Sequence, residues 1–189
     1  MSSRLVIVRH ADTDWTVSGQ HTGRTDVPLN AAGRAAALAL REPLGRWSFD
    51  AVWSSPLARA AETARLAGFA PVARDELMEW DYGAFEGLTS AEIRARDPNW
   101  DLWRDGCPAG EEAADVGARA DDVLASLPPD GDVLAFSHGH MLRVLAARWL
   151  GLAATAGALF PLAPAGIGVL GHEQGRRVLR AWSNASAGS

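Results

Sequence analysis

Apolar and polar positions along the chain sort into short, unbroken apolar runs separated by longer amphipathic ones. Arg4-Leu-Val-Ile-Val8 is the first run. It is β-branched and apolar at successive positions, which predicts a strand buried on both faces. Phe49–Ser54 and Asp132–Phe136 repeat the pattern and predict two further inner strands. Helical stretches lie between them. One opens at Leu29-Asn30 and runs to about Leu40, with Asn30 as N-cap and Leu29 packed as a staple. Ser55 is expected to cap the next, with Pro56 in its first turn and Gly68 at its end. Glu111 to Leu127 carries early acids and one apolar face of Val116, Ala120, Val123, Leu124 and Leu127. Pro128-Pro129 stops it. Met141 to Leu150, closed by Gly151, predicts a fourth helix. Pro71–Ala73 reads as a short strand, and Ile167–Leu170 with Arg177–Ala181 as a hairpin turning at Gln174-Gly175.

Strands that alternate with helices predict an α/β fold, a three-layer α/β/α sandwich with a mostly parallel central sheet. Residues 1–183 read as one domain and 184–189, rich in Ser, Ala and Gly, as a disordered tail. Two stretches break the pattern. Thr16 to Pro28 is polar and longer than a minimal connector, which predicts a functional loop. Residues 76–110 fall into short pieces, with Trp100, Trp103 and Cys107 in a lid-like excursion.

Composition narrows the field. A chain of 189 residues, 48% hydrophobic, has room for one good-sized core. A net charge of −5 argues against a general nucleic-acid surface. Every basic residue is Arg, the better bidentate partner for phosphate. The single cysteine, Cys107, excludes an internal disulfide. The apolar start is too short for a signal peptide or a membrane span, so a cytoplasmic protein with no membrane partner is expected.

The chemistry gathers where inner strands end. The first strand stops at Arg9-His10-Ala11-Asp12-Thr13, the second is followed one helical turn later by Arg59, and the third by Ser137-His138-Gly139-His140. In α/β sheets the carboxyl ends of strands are where ligands bind. Arg59 sits at the positive end of a helix dipole, a mild penalty that an anion would offset; a pair with Glu62 is the plain alternative. A metal held by His10, His138, His140 and a carboxylate competes, but Arg9 and Arg59 would repel a divalent cation and attract phosphate. Around a phosphoryl group these residues take roles. Neutral His10 can attack phosphorus, and Arg9, Arg59 and His138 can hold the non-bridging oxygens. The leaving oxygen needs a proton, for which Glu79 is the leading candidate and Asp81, Glu86 and Glu111 weaker ones.

Arg9-His10-Ala11-Asp12-Thr13 with Trp15 resembles the signature of the histidine phosphatase (phosphoglycerate-mutase-like) superfamily. Ser55-Pro-Leu-Ala-Arg59-Ala-Ala-Glu-Thr63-Ala resembles its second motif, Glu79-Trp-Asp-Tyr-Gly83 with Glu86-Gly87 its acid-bearing segment, and Ser137-His138-Gly139 its last. The resemblance implies that His10 is phosphorylated, that Arg9, Arg59 and His138 form the phosphate pocket with Gly139, and that Glu79 is the proton donor. It implies substrate contacts for Thr22 and Gly23. Thr16 stands where many members carry an Asn that binds phosphate. No metal or other cofactor is implied, and a homodimer follows only by analogy.

The long basic, proline-rich insertion of the mutases is missing, which points to a phosphatase rather than a phosphoglycerate mutase-type transferase. Ser18-Gly-Gln-His-Thr-Gly23 and the segment from Trp103 to Glu111 resemble a branch that includes sedoheptulose bisphosphatases and broad-specificity acid phosphatases. A small phosphate ester, a sugar phosphate within that branch's range, is the implied substrate. A non-catalytic phospho-ligand binding module would require the loss of an essential group, and none is lost. His21 is expected either to contact the leaving group or simply to be exposed, with exposure favoured, and some of Trp15, Trp80, Trp100 and Trp103 are expected to line the pocket.

Overall fold

A computed structural model describes residues 3–183. In chain order its regular elements are β1 (Arg4–Arg9), α1 (Asp14–Ser18), α2 (Ala31–Ala39), α3 (Arg41–Leu44), β2 (Ala51–Ser54), α4 (Ala58–Leu66) and β3 (Val72–Ala73). There follow α5 (Ser90–Arg96), α6 (Leu102–Asp105), α7 (Ala113–Ala125), β4 (Asp132–Ser137), α8 (Gly139–Trp149), β5 (Ile167–Glu173) and β6 (Arg176–Ser183). Short 3₁₀ turns occupy Asp75–Leu77, Gly83–Phe85 and Ala154–Leu159. The proposed tail, 184–189, lies outside the described residues.

The six strands form one sheet in the order β3-β2-β4-β1-β5-β6. β3, β2, β4 and β1 pair in parallel, and the terminal hairpin joins β1 antiparallel. The β1–β4 register sets Arg9 opposite Ser137, so the two site segments leave the sheet side by side. Alternation along β1 explains the layers, because successive side chains point to opposite faces. Leu5 and Ile7 enter a core with α7, α8 and the 76–110 segment, whereas Val6 and Val8 enter a second core with α2, α3 and α4. All four are fully buried.

Local chemistry explains most element boundaries. The Asn30 side chain accepts from the Gly33 amide at 2.8 Å and starts α2. Gly33 is required there, since a Cβ would lie 2.0 Å from the Asp12 carbonyl oxygen. Two expectations are corrected. Ser55 does not cap α4, which begins at Ala58 after the extended Leu57; its hydroxyl accepts from the Leu57 amide, ahead of the helix, and is bonded to His138. α8 starts at Gly139, two residues earlier than its hydrophobic pattern indicated, with His138 at its N-cap. α1 and α3 are four or five residues long and leave no periodic signal in the sequence.

Residues 76–110 do not form a loose lid. Trp80, Tyr82, Ile93, Trp100, Leu102 and Cys107 are buried in the core on the α7–α8 side. Burial pushes the Cys107 thiol up to about 12, so it stays protonated and unreactive at neutral pH. Among the described residues no helix is long and apolar enough to cross a membrane.

Candidate active site

β1 delivers Arg9 and His10 to the carboxyl edge of the sheet, and β4 delivers His138 beside them. The His10 and His138 rings stand edge to face with centroids 5.2 Å apart. His10 Nδ1 lies 2.8 Å from the Ala11 carbonyl oxygen, which accepts its proton. That bond selects the Nδ1–H tautomer and leaves the lone pair on Nε2. Burial, reinforced by the charges of Arg59 and Arg9, holds His10 well below the ordinary imidazole value, so it is neutral.

His138 is fully buried. Its Nδ1 accepts from Arg59 Nε at 3.1 Å and its Nε2 lies 2.8 Å from Ser55 Oγ. Burial and then Arg59 push it well below the usual range as well. A metal would need the same Nδ1 lone pair that the guanidinium uses. The pair with Glu62 that sequence allowed for Arg59 does not form; Glu62 bonds Arg34. Instead Arg59 donates to the carbonyls of Thr22, Gly23 and Thr25 at 2.8–3.0 Å. Four of its five N–H groups are thus spent on holding the Gln20–Thr25 loop and His138, which makes Arg59 a brace for the site.

A cavity of about 180 Å³ opens over His10, walled by Arg9, Trp15, Thr16, Gln20, Thr22, Glu79, Gly139 and others. Arg59 and His138 do not line it; they are buried beyond His10. A groove of about 1020 Å³ is larger but lies elsewhere, among Arg4, Asp50, Asp132 and His172 at the opposite end of β1. The smaller cavity holds the chemistry. Arg9 donates from Nη1 to the Leu162 carbonyl, while its Nε is buried with no partner, a donor lacking an acceptor inside a protein. A side chain on Gly139 would come within 3.2 Å of the Arg9 guanidinium, so glycine permits their close approach.

Glu79 is nearly fully buried and belongs to the cavity wall. Its Oε1 accepts from the amides of Trp80 and Met141 at 2.9 Å each, and its Oε2 from the His140 amide at 3.1 Å. It therefore supplies the cap that α8 lacks from its own N-cap side chain. The weaker acids have other work. Glu86 binds the Gly23 and Thr25 amides, Asp81 the Gly83 amide, and Glu111 pairs with Arg119.

Other assignments shift. Thr16 is on the wall, but its hydroxyl accepts from the Thr13 amide and donates to Asp12 Oδ1 or the Thr13 carbonyl. To donate to phosphate it would have to exchange that bond. Thr22 is on the wall, whereas Gly23 is behind it, where a Cβ would strike the Trp80 carbonyl at 2.6 Å. His21 is half-buried on the cavity wall rather than exposed, its ring 4.7 Å from Tyr82 and 5.8 Å from Trp100, the place its alternative contact with a leaving group requires. Of the four tryptophans only Trp15 reaches the cavity; Trp80 and Trp103 pack behind His140, and Trp100 behind His21. Sequence reasoning missed Arg143, on the cavity wall, and gave no role to Tyr82, whose hydroxyl lies 2.6 Å from His140 Nδ1. The only signal for Arg143 is its i+4 spacing from Gly139 on α8.

Comparison with known proteins agrees with this geometry. The family model described as "Histidine phosphatase superfamily (branch 1)" matches residues 5–185. An acid phosphatase of Mycobacterium tuberculosis is 42% identical over 93% of this chain and 90% of its own. The sedoheptulose 1,7-bisphosphatase of Saccharomyces cerevisiae is 34% identical over 80% and 69%, respectively. A solved structure from M. tuberculosis superposes with a TM-score of 0.90 at 41% identity, covering 95% of this chain and 96% of that one. With family, relatives and fold in agreement, the chain belongs to the histidine phosphatase superfamily, branch 1.

Proposed function

We propose that the chain, a phosphatase by family, hydrolyses small phosphate monoesters through a phosphohistidine formed on His10. The observation that carries this reading is the state of His10: neutral, with its Nδ1 proton tied to Ala11 and Nε2 left as the nucleophilic atom. The unpartnered Arg9 Nε beside it supplies a donor for a phosphoryl oxygen. In the first step Nε2 attacks phosphorus and the ester P–O bond breaks. Arg9 donates to the non-bridging oxygens, and the positive field of the Arg9 and Arg59 guanidiniums offsets their charge. The leaving oxygen takes a proton from Glu79, held on Oε2, whose single amide contact is the longest of the three. Water then attacks phosphorus, the P–N bond breaks, and Glu79 recovers a proton. The names of the relatives, an acid phosphatase and a sugar bisphosphatase, support a phosphorylated metabolite of sugar type as substrate.

The reading is tested by phosphate release from p-nitrophenyl phosphate and alkyl phosphates, in the presence of a chelator, by the wild type, His10→Ala and Glu79→Gln. His10→Ala should lose at least ~10³-fold with every ester. Glu79→Gln should lose ~10²-fold or more with alkyl esters and much less with the nitrophenyl ester, whose leaving group needs no proton. Equal losses on both classes would place the acid elsewhere.

A further inference from the structure

Residues 79–82 belong to no helix or strand, so the backbone around the acid Glu79 has no ladder of its own to hold it. Carbonyls withdrawn from water there must find donors elsewhere. Arg119, on α7, provides them. Its Nη1 donates to the carbonyls of Glu76 at 3.0 Å and Met78 at 2.7 Å, and its Nη2 to that of Glu79 at 3.2 Å. Nε and Nη2 bind Glu111 Oε1 and Oε2 at 2.7 Å each, a bidentate pair. Nη1 also lies 3.7 Å from Sδ of Met141, whose amide donates to Glu79. All five N–H groups of the guanidinium are committed, and none is left for a ligand.

Glu111 takes hold on the other side of the acid. Its Oε2 accepts from the Asp81 amide at 2.8 Å, its carbonyl from the Trp80 indole at 2.8 Å, and its own amide donates to the Asp81 carbonyl at 2.9 Å. The ion pair therefore grips the chain both before and after Glu79. Its side chains are only 18% and 16% exposed, and Arg24, next to the Thr22-Gly23 loop, approaches the same carboxylate at 3.8 Å. Neither Arg119 nor Glu111 lines the cavity. A carboxyl group turns with its own backbone, and proton transfer needs it within about 2.6–3.2 Å of the leaving oxygen. A displacement of about 1 Å can cost ~10²-fold in rate.

We propose that the Glu111–Arg119 pair is the positioning device of the acid step: it holds the Glu79 carboxyl at the leaving oxygen without touching substrate. The proposal rests on the phosphatase reading above and adds two positioning residues to it.

The test begins with Arg119→Lys, which keeps the charge but cannot reach three carbonyls and a carboxylate at once. With alkyl phosphates kcat should fall ~10–100-fold at little change in KM, and with p-nitrophenyl phosphate ~3-fold or less. On a Glu79→Gln background the same substitution should add ~3-fold or less with alkyl esters, because its effect runs through Glu79. Equal losses on the two ester classes, or full additivity, would overturn the proposal. Glu111→Gln is the second variant and should discriminate between the esters in the same direction. If neither variant folds, the pair is a determinant of the fold and the proposal fails. Amide hydrogen exchange needs no turnover: Arg119→Lys should speed exchange at Trp80 and Met141, the two amides on Glu79 Oε1, ~10-fold more than along β1 and β4. A uniform change would refute the grip. No turnover of any ester by the wild type would sink the phosphatase reading itself, while selective exchange at those two amides would still uphold the grip on Glu79.

Discussion

His10, His138 and His140 share one device at the scale of single residues: imidazole kept neutral by burial next to arginine. The arrangement costs stability in acid. Each ring binds a proton in the unfolded chain below about pH 6.5 but not in the folded one, whose values lie well below that. Unfolding then takes up protons, so stability falls as the pH drops, by up to ~1.4 kcal/mol per pH unit for each such ring. Urea unfolding from pH 7.5 to pH 5 should show the midpoint falling steadily, and the slope should lessen in a His140→Asn variant. A flat profile would mean that the rings are charged in the folded state. Catalysis should respond in the opposite sense, since His10 stays neutral and nucleophilic at pH values where a free imidazole would not.

Helix ends position the site at the scale of elements. α8 begins at Gly139 because the chain has a remote cap in Glu79, contributed from sixty residues earlier and invisible to any local capping signal. The same logic moved Ser55 away from α4: its hydroxyl serves His138, a partner that only the sheet register brings near. Asn30, by contrast, bonds within its own helix and was legible from sequence. Gly33 ties α2 to the site. Replacing it with Ala should force the Asp12 carbonyl aside, lower stability by ~1–3 kcal/mol, and reduce kcat/KM at temperatures where the protein stays folded. Thermal unfolding and steady-state rates would check both; full activity at unchanged stability would show that the loop has room to move.

The whole molecule is a parallel sheet whose strand ends are made to converge. This much the sequence carried, because β1, β2 and β4 run apolar at their inner positions and stop abruptly at Arg9, Ser54 and Ser137, with His138 next in the chain. The residues named from those ends, Arg9, His10, Arg59 and His138, come together within one hydrogen-bonded cluster or against it. What the sequence could not carry is which side chains face the cavity in residues 76–110. That segment is irregular, so no period assigns its faces, and its tryptophans turned out to be core. Arg143 escaped notice for a related reason: one arginine on an amphipathic helix looks like any solvated charge until the folded chain places it on the cavity wall.

The most direct test of the account is to trap the reaction in progress. The wild type is mixed with a rapidly hydrolysed phosphate ester, quenched in alkaline denaturant, where phosphohistidine survives, and digested for mass spectrometry. The account predicts one phosphorylated peptide, spanning His10, that loses its phosphate in acid and is absent from His10→Ala. Phosphate on His138 or on a serine, or turnover with His10 never modified, would contradict it.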